Sequence, residues 1–292
     1  MVTQAPVGGA SIDHVTDPVM LAHQLLTIPS GAEKHEYARK LRISSISDVC
    51  VREVLLGIRN GVSSKRFTNV GLQVTFDIGH AFHEFIQNSQ EYLGRKKVGW
   101  WRCSACGVKY FGRYPVQRCS SCNAYPEAFR HEEHSLSLPE EIPVSGHPDD
   151  FLEIAPGDIR VVDYKSLSGD EFKKLTAPKA EHIIQVTGYM EYLQYDLKLP
   201  AKINSRRGLL IYMSKQHVAQ QFPFKVFHVD RQQSYVDIIK AKVADLQQGL
   251  KDQNFLPTLN NRCELSEFTD SRSRQCPVHD ICQRLFCNQL QK

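Results

Sequence analysis

The sequence predicts an α/β chain carrying one metal-binding insertion. Three observations lead there. Helix-period and strand-period stretches alternate along the chain, two acids stand at the ends of neighbouring β-branched runs, and two C-x2-C pairs interrupt the pattern ahead of them. The 292 residues, 41% hydrophobic and 23% charged, leave room for a full core and one inserted module. A net charge of +4 permits nucleic-acid binding without demonstrating it. There is no run of about eighteen apolar residues and no charged-then-apolar leader, so neither a membrane span nor a secretory signal is expected. Most of the nine cysteines come in close pairs, which fits metal ligation in a cytoplasmic protein better than disulfides.

Residues 1–30 are expected to form a flexible arm, since Thr3 to Gly9 shows no periodicity. Val51 to Gly57 is the first predicted helix, with Ser47 or Asp48 as its N-cap, Cys50 in its first turn and Gly57 as its stop. A second helix is predicted to open near Gly79 and run to about Leu93. It has an apolar stripe of Ile78, Phe82, Phe85, Ile86 and Leu93, with His80, His83 and Gln87 on the adjoining face.

Residues 99–126 then break the pattern. Cys103-x2-Cys106, twelve residues, and Cys119-x2-Cys122 predict a closed four-thiolate zinc site, because each C-x2-C turn presents two sulfurs to one side of a tetrahedron. Lys109, Tyr110, Phe111, Arg113 and Tyr114 between the pairs could contact a nucleic-acid strand by charge and stacking, or could simply brace the insert.

The stretch from Gly146 to Lys165 reads as a hairpin turning at Ala155-Pro156-Gly157-Asp158. It carries Asp149 and Asp163 to strand ends, fourteen positions apart, and puts Lys165 on the same strand face as Asp163. Two converging carboxylates suit a divalent cation, and a lysine beside them can orient an attacking water. Glu181 to Leu197 follows as a helix with Gln185, Tyr189 and Tyr192 on one face. Arg207–Met213 and Phe222–Val229 are predicted strands, and Gln232–Leu250 a long amphipathic helix.

The order is helix, insert, three strands (about 130–138, 142–154 and 158–166), helix, strand. It resembles the αβββαβ, restriction-endonuclease-like core of the PD-(D/E)XK nuclease superfamily. Gly79-x3-His83 resembles that family's first motif, Gly146-x2-Asp149 the second and Asp163-x-Lys165 the third. Gln185-x3-Tyr189 resembles the added motif of its RecB/AddB branch. The likeness covers roughly residues 40 to 290, with the core expected over 31–98 and 127–292. It implies a Mg2+ or Mn2+ site ligated by His83, Asp149, Asp163 and the carbonyl of Tyr164. Lys165 would act on the attacking water, and Gln185 and Tyr189 would hold the DNA strand or support Lys165. The zinc ribbon is a departure that the nuclease core does not need.

The tail sharpens the resemblance. In the iron–sulfur subgroup, similar to the CRISPR-associated and AddB-type exonucleases, one cysteine before the core and three after it hold a 4Fe-4S cluster. Here Cys50 would be the first ligand, and Cys276 and Cys282 the last two. The subgroup's usual cysteine three positions before Cys276 is Ser273, so Cys263 or Cys287 would complete the set. Cys263 keeps the order along the chain. The alternative is a second zinc site using His279. The function implied is a metal-dependent deoxyribonuclease, in the RecB branch mostly an exonuclease on single-stranded or frayed DNA ends, with a protein partner in a recombination or replication complex open. The runner-up is a non-catalytic DNA-binding module on a nuclease fold that reads DNA through its ribbon. The intact Asp149, Asp163 and Lys165 argue against it, and a purely structural zinc-ribbon protein leaves residues 130–195 unexplained.

Overall fold

The structure, a computed structural model, describes residues 33–66, 70–88, 96–115, 117–216 and 222–290. The expected N-terminal arm and Leu93 lie outside them. The chain begins with β1 (Glu33–Glu36) and β2 (Leu41–Arg42), then α1 (Val51–Asn60), β3 (Ser63–Arg66) and α2 (Val70–Asn88). Next come β4 (Lys97–Cys103), β5 (Lys109–Arg113), β6 (Phe129–Glu132), β7 (Val144–Ser145), β8 (Asp150–Ala155) and β9 (Asp158–Leu167). The order closes with α3 (Gly169–Lys174), α4 (Ala180–Tyr192), β10 (Arg207–Ser214), β11 (Phe224–Asp230), α5 (Gln233–Lys251), α6 (Asn261–Leu265), α7 (Ser271–Arg274) and α8 (His279–Leu290). Among the described residues no helix is long and apolar enough to cross a membrane.

The centre is a seven-stranded mixed sheet in the order β11-β10-β9-β8-β4-β5, with β6 also pairing to β4. The β8–β9 hairpin turns at Gly157, whose φ of 78° is open to glycine at little cost. The crossover through α3 and α4 makes β9 and β10 parallel, so both are buried on two faces. Alternation along β9 then divides the core. Val161 joins Leu210, Tyr212, Val186 and Met190 under α4, while Val162 and Tyr164 join Leu209, Ile211 and Ile86 under α2. The α5 helix packs beside α1 so closely that a Cβ on Gly249 would meet Leu55 at 2.2 Å.

Several predicted boundaries need correction. Cys50 is the N-cap of α1, not a first-turn residue, and the helix runs through Gly57 to a left-handed Gly61. Gly57 is needed for space instead, because a Cβ there would stand 2.2 Å from the Tyr37 ring. The α2 helix starts at Val70, so Gly79 is mid-helix. The expected strand over 142–154 is two strands. Val144–Ser145 pairs with β2, the chain turns off through Gly146, and β8 resumes at Asp150. The strand expected over 130–138 is only Phe129–Glu132.

The segment expected as a separate insertion over 99–126 does not part from the sheet at its boundary. Its strand β4 starts at Lys97 and pairs with β8 through Lys97↔Leu152 and Val98↔Phe151, then continues alongside β5 and β6.

Candidate active site and metal centres

Asp149 stands just ahead of β8, where its Oδ2 accepts the backbone N–H of Tyr164 at 2.6 Å and thereby bridges to β9. From the α2 side, His83 Nδ1 approaches Asp149 Oδ1 at 3.5 Å, and its ring meets Tyr164 edge-on. From the α4 side, Gln185 Nε2 donates to Asp163 Oδ1 at 2.7 Å, while its Oε1 accepts from Lys165 Nζ at 2.9 Å. Lys165 Nζ is also 2.8 Å from Asp163 Oδ2, an ion pair off the hydrogen-bonding directions. Asp163 is buried, and its Oδ2 accepts no hydrogen bond among the described residues. A buried carboxylate oxygen met only by an ammonium, with a second carboxylate and an imidazole close by, is a donor set that fits a hard divalent cation.

The electrostatics agree. Burial, reinforced by Asp149 and opposed by Lys165, pushes the Asp163 carboxyl up to about 7. Burial pulls the His83 imidazole down, but the Asp149 and Asp163 carboxylates more than reverse that and raise it overall. Both groups thus hold protons more readily than usual when no cation is there to take their place.

Tyr189 is buried and donates to the carbonyl of His147 at 2.8 Å. Gly146 permits that approach, since a Cβ there would stand 2.9 Å from the Tyr189 ring. The phenol therefore braces the Gly146–Asp149 turn, and Gln185 is the member of the pair that supports Lys165.

Sequence reasoning missed the layer beneath. Lys97 Nζ lies 2.8 Å from Asp150 Oδ2, both side chains buried, and donates to the carbonyl of Gln87 on α2. Tyr164 donates its hydroxyl to the same Asp150 oxygen at 3.1 Å, and His131 Nε2 is 3.5 Å from the other. Gln87 Nε2 in turn donates to the Asp149 carbonyl at 2.9 Å. His182 also escaped notice, although it precedes Gln185 by one helical turn on the same face. Its Nδ1 is 2.7 Å from the Tyr212 hydroxyl, and burial, with Lys165 and Lys179 nearby, holds it down to about 3.

The sulfurs of Cys103, Cys106, Cys119 and Cys122 all lie within 4.8 Å of one another, compact enough for one metal ion. Each C-x2-C turn closes with an N–H returned to its first cysteine's carbonyl, from Gly107 and Asn123 at 2.8 Å, and both donors take positive φ. Backbone N–H groups of Cys122 and Ser121 pull the Cys119 thiol down to about 7, which favours the thiolate. The basic residues of the ribbon are largely paired within the fold. Arg102 and Lys109 meet Glu132, and Arg113 meets Glu153.

At the far end of α1, Cys50 is within electrostatic reach of Cys263, Cys276 and Cys282. Cys282 is buried, whereas Cys287 is exposed. The four thiols are not drawn together tightly enough for a single ion, and His279 gives its Nδ1 to the Ser273 carbonyl at 2.8 Å.

No curated protein sequence matches the chain. Among solved structures it is similar to an alkaline exonuclease (LHK-Exo) from Laribacter hongkongensis, at 11% identity over 74% of this chain and 89% of that one, with a TM-score of 0.42. The same exonuclease in complex with dAMP gives 12% identity, the same coverage and a TM-score of 0.40. SSO0001 gives 13% identity over 90% of this chain and 91% of that one, with a TM-score of 0.38. A family profile matches residues 80–283, well over half the chain and the span that holds both carboxylates, Lys165 and Gln185. This chain belongs to the PD-(D/E)XK nuclease superfamily.

Proposed function

We propose that the chain is a divalent-metal-dependent deoxyribonuclease of the RecB/AddB-like branch. It acts as an exonuclease on single-stranded or frayed DNA ends during DNA processing, repair or recombination, in a cytoplasmic setting and with room for a protein partner. The observation that carries this reading is the buried Asp163, pinned through Oδ1 by Gln185 and facing the Lys165 ammonium through Oδ2, with the Asp149 carboxylate near enough to raise it. Asp149, Asp163, His83 and the Tyr164 carbonyl would hold Mg2+ or Mn2+, which when bound supplies Lewis-acid polarisation of a phosphoryl oxygen and a more acidic water.

Lys165, fixed by Gln185, would direct its ammonium at the attacking water and at charge developing on the phosphoryl oxygens. The Tyr164 peptide and the Gln87 amide keep Asp149 from turning away. Cys103, Cys106, Cys119 and Cys122 would hold one structural zinc. The ion pairing of the ribbon's cations favours bracing over strand recognition as the ribbon's role.

A 4Fe-4S cluster would take Cys50, Cys263, Cys276 and Cys282, with Cys287 spare. The Cys50 thiol has the other three as neighbours, and thiols too far apart for one ion suit a larger centre. The test is purified full-length protein on end-labelled single- and double-stranded DNA, with magnesium, manganese or chelator. Divalent-dependent shortening from an end supports the proposal. Protein that is folded yet inert on every end with both metals would favour the non-catalytic binding module.

A further inference from the structure

Arg52 is out of place by ordinary rules. It is the second residue of α1, two residues after Cys50, and is 3% exposed. Its Nη1 donates to the Pro257 carbonyl at 3.2 Å, but among the described residues Nε and Nη2 have no hydrogen-bond partner and no carboxylate forms an ion pair with it. A guanidinium stays protonated at any pH the protein meets, so this is a full buried charge. An unpaired buried cation costs several kcal/mol, and a native fold does not ordinarily carry one without an anion nearby.

Cys282 is beside it, and Cys50, Lys242 and Asp245 line the same cavity as Arg52. Burial pushes the Cys282 thiol up, and the Arg52 guanidinium, close enough to act by charge and by hydrogen bonding, pulls against that shift. Lys242 brings a second cation to Cys50 from α5, while its Nζ is held by the carbonyls of Ile46 and Ser47. A water in the adjoining cavity of about 310 Å3 could satisfy an N–H, but water cannot balance the charge. Four thiolates around a metal centre can.

We infer that Arg52 is the built-in counter-charge of the metal–thiolate centre held by Cys50, Cys263, Cys276 and Cys282, and that it sets that centre's reduction potential. The inference rests on the iron–sulfur reading above. When the cluster takes one electron from a titrant such as dithionite, its net charge becomes one more negative. A fixed cation at its edge favours that reduced state, since cluster potentials follow net charge and hydrogen bonding to the sulfurs.

The test is an anaerobic dithionite titration of full-length wild type, Arg52→Lys, Arg52→Gln and Arg52→Met, followed by visible absorption and electron paramagnetic resonance, with iron and sulfide measured on each. Arg52→Gln and Arg52→Met should move the oxidised-to-reduced equilibrium at least tenfold toward the oxidised form, about 59 mV for one electron. Arg52→Lys should stay near wild type. If the neutral variants fail to hold iron, retention of iron and potential by Arg52→Lys still supports the assignment. A wild-type potential in Arg52→Gln overturns it, as does loss of iron from Arg52→Lys as well as from the neutral variants. Wild-type protein that is folded yet carries no iron or sulfide would instead remove the cluster reading itself.

Discussion

Replacing Lys97 by methionine should be among the most damaging single changes in the sheet, and the damage should depend on pH. Lys97 and Asp150 are buried against each other, with Nζ 2.8 Å from Oδ2. Even with that partner, burial raises the Asp150 carboxyl from 3.8 to about 6, so its ionised form costs the fold about 3 kcal/mol above that pH. Lys97→Met keeps the stem's volume and removes the charge, leaving a buried carboxylate with no cation. Breaking such a pair from one side costs roughly 3–5 kcal/mol.

A carboxyl whose folded pKa is raised contributes stability that is complete below its unfolded pKa and is lost as pH rises through the folded one. Without Lys97 the folded pKa rises further, so the deficit should be full at pH 8 and shrink by pH 5.5. Urea unfolding of wild type, Lys97→Met, Asp150→Asn and the double variant at both pH values measures this. The double variant should recover most of the loss. A Lys97→Met deficit below about 1 kcal/mol at pH 8, or one equal at both pH values, would refute the reasoning.

Other outcomes follow from the same geometry. Asp163→Asn should lower divalent-dependent cleavage by at least a hundredfold while thermal unfolding shifts little, since Asn keeps an oxygen for the Gln185 amide; Lys165→Met should lose cleavage as well but also unfold earlier above about pH 7, because it strips the cation from the buried Asp163 carboxylate. Gly249→Ala should destabilise by about 1–3 kcal/mol in denaturant unfolding, because the added methyl meets Leu55 at 2.2 Å. Full-length Cys119→Ser/Cys122→Ser should lose one zinc per chain by metal analysis and show faster amide exchange in β5 than in β9. His182, neutral in the fold and held down to about 3, takes a proton in the unfolded chain first. Stability should therefore fall as pH drops from about 6.5 toward 3, and His182→Gln should flatten that slope in unfolding measured across the range.

The part of the site legible in the sequence is the part with local signatures. Asp149, Asp163 and Lys165 stand on a hairpin whose turn and β-branched flanks declare it, and alternation alone puts Asp163 and Lys165 on one face. The C-x2-C turns are equally local. What escaped depends on contacts distant in sequence. The break between β7 and β8 exists because Val144 pairs with Leu41, about a hundred positions away. Gly57 reads as a stop only while Tyr37 is unseen. The early start of α2 was hidden because Val70, Leu72, Val74, Phe76 and Ile78 recur at every second position, the period of a strand and not of a helix. A buried lysine such as Lys97 looks like any surface lysine until its strand is placed.

The threading of β4 between β8 and β5 also decides how the ribbon can be studied. Excising residues 99–126 and joining the ends with a glycine linker would cut away most of an internal strand together with its zinc knuckles. The β6 strand, whose partners Trp100 to Cys103 would be gone, would then present bare N–H and C=O groups, a template for pairing with another chain. Such a truncation should precipitate or self-associate whatever the ribbon's own task, so loss of activity in it would say nothing of DNA recognition. Point changes at exposed positions such as Arg118 and Tyr125, whose guanidinium stacks 3.8 Å over the ring, interrogate the ribbon's surface without opening the sheet.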